Sequence, residues 1–197
     1  MNRENIKDRI KASISTKEAI LQSEEILNQI EVIAKKMVET YQNDGKILFC
    51  GNGGSAGDAQ HIAAELSGRY YFDRPPLNAE ALHVNSSYLT AVGNDYGFDF
   101  VYERMTEALG KKGDILVGIS TSGNSTNVNK ALIKAKELGM LTVGLSGRNG
   151  GKMKNLCDFN IIVPSDDTPR IQESHILIGH ILCEWIEVNL FKKNNEK

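Results

Sequence analysis

The fold is decided by one stretch, Lys46-Ile47-Leu48-Phe49-Cys50-Gly51-Asn52-Gly53-Gly54-Ser55, which the alanine-rich residues 56–66 follow. An apolar run, closely spaced glycines and then helix-forming residues predict a strand, a tight loop and a helix. Glycines let a ligand approach the backbone, and a helix start offers unpaired N–H groups that favour an anion. The spacing matches neither the dinucleotide-binding GxGxxG motif nor a P-loop, which needs a lysine. The stretch is either a ligand-binding loop or a structural strand-to-helix turn.

Two side chains that could act in catalysis or bind a metal follow on the predicted helix. His61 and Glu65 are four residues apart, so they lie on one helix face, one turn from each other. Such a pair can act as a general acid and base, or supply two ligands to a metal ion. The alternative is a surface pair on a solvated helix, although Ile62 and Ala63 make the surroundings apolar.

Length and sequence patterning predict one cytoplasmic domain. The 197 residues suffice for a full core and no linker divides them, so we expect a single domain over residues 1–197. Residues 1–44 are expected to form N-terminal helices, and residues 45–197 the α/β core with a C-terminal helix. The charged N-terminus lacks the apolar segment of a signal peptide, and no apolar run approaches the roughly 20 residues that span a bilayer.

Charge and cysteine usage narrow the possible partners. The net charge is -2 with scattered lysines and arginines, so we expect binding neither to nucleic acid nor to a membrane surface. The three cysteines, Cys50, Cys157 and Cys183, are widely spaced and lie in apolar segments. We therefore expect reduced core residues rather than disulfides or a zinc cluster.

The segments on either side of this stretch extend the pattern. Apolar residues at helical spacing over residues 4–43 predict two helices, the second capped by Ser23, and we expect part of their apolar surface to pack on another subunit. Strands are predicted at residues 79–84, 115–119, 141–146 and 160–163, and helices at residues 98–109, 128–138 and 170–191. This alternation predicts a parallel sheet with helices on both faces and ligands beyond the carboxyl ends of the strands.

A second candidate loop is rich in hydroxyl groups. Residues 120–125, Ser-Thr-Ser-Gly-Asn-Ser, follow a buried strand and precede a helix. Backbone N–H groups and hydroxyl donors at a helix start can bind one phosphate without a lysine. Capping of the following helix is the alternative, but four hydroxyl residues exceed what one cap needs.

Two further pairs of polar residues are ambiguous on the sequence. Asn94 and Asp95 are either turn formers or ligand contacts. Gln172 and His180 lie on the apolar C-terminal helix, about 80° apart around it and about 12 Å along it. At that separation the two side chains cannot easily bind the same ion, unless the helix is distorted or the two residues come from different subunits. Taken alone, His180 reads as a core histidine.

These segments together resemble the sugar isomerase (SIS) family. The resemblance covers nearly the whole chain, in order, and includes the two leading helices. The segments that carry it are Cys50–Ser55, His61–Tyr70, Gly93–Gly97, Gly118–Ser125, Gly150–Met153, Arg170–His175 and His180.

The resemblance implies a fold, an assembly and an activity. The fold is a three-layer, flavodoxin-like α/β fold with a five-stranded parallel sheet and N-terminal helices for oligomerisation. The assembly is a homotetramer with active sites at subunit interfaces. The activity is an aldose–ketose isomerisation that interconverts D-sedoheptulose 7-phosphate and D-glycero-D-manno-heptose 7-phosphate through an enediol. That reaction is the first step towards the ADP- or GDP-activated heptose of lipopolysaccharide or capsule.

The resemblance also implies roles for residues at matching positions. Glu65 and His180 become the catalytic acid/base pair. The implied ligands of one zinc ion per subunit, with a catalytic or structural role left open, are His61, Glu65, Gln172 and His180. The residues implied to hold the sugar are Asn52, Gly53, Gly54, Ser55, Glu65, Asn94, Asp95 and Gln172. Those implied to hold the phosphate are Ser120, Thr121, Ser122 and Ser125.

Two other interpretations stay open on the sequence. One is an isomerase of a different phosphosugar on the same fold, because a phosphate loop says little about sugar length. The other is a non-enzymatic SIS tetramer that binds the replication initiator. Relatives of that kind are expected to lack residues matching Glu65 and His180. Both are present here, which favours the enzyme.

Overall fold

The computed structural model describes residues 3–192, and its centre is a sheet of five parallel strands. The strands are β1 (Ile47–Gly51), β2 (Ala79–Ala81), β3 (Ile115–Ser120), β4 (Leu141–Gly147) and β5 (Phe159–Val163). They lie in the order β2-β1-β3-β4-β5. This is the strand order of the flavodoxin-like fold, so the predicted fold class is confirmed.

Helices cover both faces of the sheet. They are α1 (Arg3–Leu21), α2 (Glu24–Gln42), α3 (Gly54–Ser67), α4 (Ser86–Asp95), α5 (Val101–Leu109), α6 (Thr126–Glu137) and α7 (Thr168–Phe191). Short 3-10 segments lie at Phe98–Phe100 and Lys152–Asn155. Within residues 3–192 no helix is both long and apolar enough to cross a membrane.

One face of the sheet packs against α2, α3 and α7. Alternate strand residues point to opposite faces, and Ile47 and Phe49 of β1 point to this one. They join a cluster that includes Ile33 of α2, Ile62 of α3 and Ile178 of α7. The helices that carry the candidate site residues His61, Glu65 and His180 therefore share one core.

The other face packs against α4, α5 and α6. Leu48 and Cys50 of β1 point to it, and they cluster with Tyr102 of α5 and Leu132 of α6. All three cysteines carry free thiols; Cys50 and Cys183 are buried, and Cys157 is partly buried. That these cysteines stay reduced in the cell remains a prediction.

The two N-terminal helices differ in how they are buried. Helix α2 begins at its predicted cap, where the backbone N–H of Ile26 donates to the Ser23 hydroxyl at 3.4 Å, and it packs into the core. Helix α1 buries only Thr16 and Ile20 and leaves much of its apolar surface in solvent. Its exposed isoleucines are Ile6, Ile10 and Ile14, with 55%, 56% and 50% of their surface accessible.

The structure corrects two of the predicted boundaries. Strand β2 ends at Ala81 rather than at residue 84, because Asn85 turns the chain into α4 by accepting a hydrogen bond from the Tyr88 N–H at 3.0 Å. Asn94 and Asp95 lie in the last turn of α4, so the interpretation of them as turn formers is wrong. Remaining boundaries differ by one or two residues, or by a 3-10 turn at Phe98–Phe100.

Candidate active site

The candidate site lies where the chain reverses its direction of travel across the sheet. Strand β1 sits between β2 and β3, so the connections from β1 and from β3 leave the sheet on opposite faces. A crevice forms at such a point beyond the carboxyl ends of the strands. The loops over residues 51–55 and 120–125 both lie at this edge, as the sequence predicted.

The glycines of the first loop are required by its geometry. Gly53 has φ +56°, in the left-handed region that favours glycine, and it immediately precedes α3. A Cβ atom on Gly54 would collide with the side-chain amide of Gln172. Gly54 and Gln172, both predicted to bind the sugar, are thereby brought into contact across 118 positions of sequence.

The predicted acid/base residues form a connected cluster with His61. The Nε2 atom of His61 lies 3.1 Å from Oε1 of Glu65 and 3.3 Å from Nε2 of His180. His180 is only partly buried and does not pack in the core, so the reading of it as a core histidine is wrong. The rings of His61 and His180 meet edge to face, with centroids 5.1 Å apart.

A glycine on α7 explains why the two histidines meet. Gly179 is buried, and a Cβ atom there would collide with Ile62 of α3. Helices α3 and α7 therefore approach closely at this point, next to His61 on one helix and His180 on the other. The glycine that precedes His180 was the sequence signal for this approach, and sequence reasoning missed it.

In the hydroxyl-rich loop, the Ser125 side chain does not cap the following helix. Ser125 occupies the N-cap position of α6, but its side chain makes no capping hydrogen bond. Its Oγ lies 2.9 Å from Oγ of Ser120, the buried last residue of β3. Thr121 and Ser122 are partly buried beside them. The capping alternative is thus not realised by Ser125, and the paired hydroxyls remain available to a phosphate.

Asn127 is a site-building residue that sequence reasoning missed. It is buried in the first turn of α6, and its side-chain amide forms a reciprocal pair with that of Asn52. The two Nδ2-to-Oδ1 hydrogen bonds are 2.8 and 3.0 Å long. This pair ties the glycine-rich loop to the hydroxyl-rich loop.

Asp58 and Tyr70 add groups around the histidine pair. Oδ2 of Asp58, one turn before His61, is buried, and none of the described residues bonds to it. Burial raises the pKa of the Asp58 carboxyl, and the nearby His61 opposes that shift.

The Tyr70 ring lies 5.8 Å from the His180 ring, and burial together with a hydrogen bond to Tyr71 raises the pKa of Tyr70 to about 12. Tyr70 is therefore a neutral phenol.

Asn94 and Asp95 stand apart from these contacts. Both are exposed, and Nδ2 of Asn94 donates to Oδ1 of Asp95 at 2.8 Å. No hydrogen bond joins them to another predicted site residue within the described part of the chain. Their role in holding the sugar stays a prediction.

The histidine cluster, formed by His61, Glu65 and His180, has donor atoms of the kinds that bind zinc. Imidazole nitrogen and carboxylate oxygen are preferred zinc ligands, and three such atoms that face one another need a proton or a cation between them. The contacts run in series from Glu65 through His61 to His180, and residues 3–192 contain no group of three His, Cys, Asp or Glu side chains already arranged around a metal position. Gln172 contacts Gly54 instead, and α7 is continuous from Thr168 to Phe191.

Comparison with known proteins agrees with this architecture. Residues 11–147 match the SIS domain family, so the chain is a member of the class of SIS proteins. Its similarity to individual members is far higher than the fold requires. It is 57% identical over 187 residues to a phosphoheptose isomerase of Aneurinibacillus thermoaerophilus, covering 95% of this chain and 94% of that one. A phosphoheptose isomerase of Helicobacter pylori strain P12 is 57% identical over 93% of this chain and 96% of its own.

Solved structures give the same assignment. The phosphoheptose isomerase from Neisseria gonorrhoeae superposes with a TM-score of 0.88 at 45% identity, over 94% of this chain and 98% of that one. A phosphoheptose isomerase from Francisella tularensis superposes with a TM-score of 0.90 at 39% identity and the same coverage. The chain belongs to the phosphoheptose isomerase family.

Proposed function

We propose that this protein is an aldose–ketose isomerase that interconverts D-sedoheptulose 7-phosphate and D-glycero-D-manno-heptose 7-phosphate. The observation that carries the proposal is the contact of Glu65 and His180 with a common atom, Nε2 of His61. Family membership supports the same reaction. In cells the product serves as the first intermediate towards a nucleotide-activated heptose for lipopolysaccharide or capsule.

The reaction moves one proton between neighbouring carbons and another between neighbouring oxygens. Glu65 takes the proton from one carbon, which leaves the enediol intermediate, and returns it to the neighbouring carbon to complete the isomerisation. His180 carries the proton between the two oxygens, because one nitrogen of a neutral imidazole donates a proton and the other accepts one. His61 holds the carboxylate of Glu65 at 3.1 Å and so orients the base.

The two loops divide the binding of the substrate. Ser120, Thr121, Ser122 and Ser125 are proposed to hold the phosphate with the N–H groups at the start of α6. Asn52, Gly53, Gly54, Ser55 and Gln172 are proposed to contact the sugar hydroxyls, together with Asn94 and Asp95. The Asn52–Asn127 amide pair then sets the distance between the phosphate end and the reacting end of the substrate.

We also propose one zinc ion per subunit. Its ligands would be His61, Glu65 and His180, with Gln172 as the fourth. When bound, zinc would polarise the substrate carbonyl and stabilise negative charge. The three ligands found together in one chain support this proposal by their chemistry.

The assembly and location are proposed from the surface and the thiols. The exposed isoleucines of α1 support a homotetramer, in which the N-terminal helices pack between subunits. Three free thiols support a reducing compartment, the cytoplasm. A net charge of -2 supports a phosphosugar rather than nucleic acid or a membrane surface as the binding partner.

The test compares wild type with Glu65→Gln on sedoheptulose 7-phosphate in deuterated water. We expect wild type to incorporate deuterium at C1 or C2 of the sugar, as followed by proton NMR. Glu65→Gln keeps the size of the side chain but removes the base, so we expect turnover to fall by about 100-fold or more. Zinc bound to each preparation is counted by atomic emission, with about one ion per chain expected for wild type.

The matched control is Glu137→Gln, which removes an exposed carboxylate that pairs with Lys134 on α6. It should exchange deuterium at the wild-type rate. Near-normal turnover of Glu65→Gln would show that Glu65 is not the base. If folded wild type supplied with zinc converts no substrate, the proposed reaction is wrong. The remaining candidates are then an isomerase of another phosphosugar and the non-enzymatic binding protein.

A further inference from the structure

A buried ion pair lies behind the histidine cluster and takes no part in the proposed chemistry. Arg74, in the loop after α3, donates from Nε to Oε1 of Glu187 on α7 at 3.0 Å. Both side chains are 1% exposed. Removing two charges from water is costly, and an apolar pair of similar volume often stabilises a fold as well. The pair therefore calls for an explanation beyond stability.

The guanidinium of Arg74 closes the end of the helix that carries the proposed base. It donates to the backbone carbonyls of Glu65, Leu66 and Gly68 at 2.8, 2.7 and 3.1 Å. Carbonyls in the last turn of a helix lack partners within the helix, and that end of the helix dipole favours a cation. Arg74 thus fixes the last turn of α3 through the backbone carbonyl of Glu65 itself.

The carboxylate of Glu187 holds the backbone of Tyr70 and Tyr71, on the other side of the cluster. Its Oε1 accepts from the backbone N–H of Tyr70 at 3.0 Å, and its Oε2 accepts from that of Tyr71 at 2.7 Å. The Tyr70 ring then lies against His180. Glu187 is seven residues, or two turns, after His180 on the same helix, so it lies on the same side of α7.

We propose that the Arg74–Glu187 pair is a positioning device for the isomerase site, and this inference rests on the proposed function. The pair links α3, the loop over residues 68–76 and α7, and so sets where Glu65 and His180 stand relative to each other. Both side chains are buried, so neither is placed to touch the substrate. Their effect passes through the backbone of Glu65 and the ring of Tyr70.

A buried pair elsewhere in the chain provides a matched control. Lys46 and Asp114 form an ion pair of 2.7 Å at the amino-terminal edge of the sheet, with Asp114 fully buried. Asp114 also accepts backbone N–H bonds from Lys46 and Lys111 at 3.0 and 2.9 Å. It therefore resembles Glu187 in burial and partners but lies away from the site.

The experiment compares Arg74→Lys and Glu187→Gln with Asp114→Asn at a temperature well below all their melting points. All three are expected to lower the melting temperature. For the first two we expect kcat to fall by about 10- to 100-fold, because small displacements of reacting groups are costly. Their KM should stay within about threefold of wild type, since the phosphate loop is untouched. Asp114→Asn should keep its kcat.

A second readout is independent of turnover. The chain has four histidines, so selective 13Cε1 labelling gives four ring signals. In Arg74→Lys and Glu187→Gln we expect the signals of His61 and His180 to move, while those of His83 and His175 stay in place. In Asp114→Asn all four should stay. If wild type proves inactive on sugar phosphates, the proposed function fails and these spectra alone decide the positioning role.

A purely structural role predicts different results. Variants of Arg74 and Glu187 would then lose stability as Asp114→Asn does, with kcat within about twofold of wild type and unmoved histidine signals, and the proposal would be wrong. If the single variants do not fold, the double variant Arg74→Met/Glu187→Leu replaces the pair by apolar side chains. A folded double variant with low kcat supports positioning, and one with normal kcat overturns it.

Discussion

At the scale of single residues, His175 gives the chain a dependence of stability on pH. It is fully buried in α7, and its Nε2 donates to the backbone carbonyl of Ser146 at 3.0 Å. Its Nδ1 is buried and finds no bonding partner among residues 3–192. Burial lowers the pKa of His175 to about 4, so the native state holds the ring neutral.

We therefore expect the free energy of unfolding to fall as the pH is lowered from about 6.5 to about 4. In that window the unfolded state binds a proton at His175 and the native state does not, so acid favours unfolding, by up to about 3 kcal/mol. The stability is fully present above the pKa of the unfolded state. The measurement is urea unfolding at several pH values for wild type and His175→Gln, whose amide can also donate to Ser146. Equal pH slopes in both proteins would contradict this assignment.

At the scale of elements, the loop over residues 120–125, proposed above to hold the phosphate, is held by the turn after β4. The backbone N–H of Met153 donates to the carbonyl of Gly123 at 3.0 Å, and the N–H of Lys152 donates to Oδ1 of Asn124 at 3.1 Å. Gly123 has φ +66°, and a Cβ atom there would collide with the carbonyl of Gly150. The two loops can pack together only because this position has no side chain.

We expect Gly123→Ala to raise the KM for the phosphosugar by about tenfold or more, because the loop must move away from the turn to admit a methyl group. Steady-state kinetics and thermal melting would be measured together. The control is Gly57→Ala in α3, where a Cβ atom meets nothing within 4 Å. That change should stabilise the helix by about 0.5–1 kcal/mol. An unchanged KM in Gly123→Ala would mean that this loop does not hold the phosphate.

At the scale of the whole molecule, the exposed stripe of α1 predicts assembly. Ile6, Ile10 and Ile14 are about half exposed in the single chain. Covering this apolar surface with another subunit would remove it from water, which is favourable. We expect the 21.7 kDa chain to sediment as a tetramer, and the triple change of these residues to lysine to give smaller species with reduced activity. Ile133→Lys, at a single exposed isoleucine of α6, is the control. A wild-type monomer with full activity would contradict the assembly.

Much of the fold was predictable because its signals are local. The apolar run of β1, the glycines that follow it and the cap at Ser23 each act within a few residues, and each was found where the sequence indicated. The end of β2 was misjudged, because an edge strand has one neighbour and Asn85 draws the chain away from it. A turn at Asn94 and Asp95 was wrongly favoured as one alternative, because a helix end and a turn share the same residue preferences.

The sequence by itself determined the α/β class, the two loops at the carboxyl edge of the sheet, and the spacing of His61 and Glu65 on one helix face, because these depend on neighbouring residues. Only the tertiary structure decided that His180 meets His61, that Asn52 pairs with Asn127 and that Arg74 closes α3 onto Glu187. Those contacts join residues 119, 75 and 113 positions apart. They depend on how closely whole helices pack, and a glycine such as Gly179 marks a close approach without identifying its partner, here Ile62.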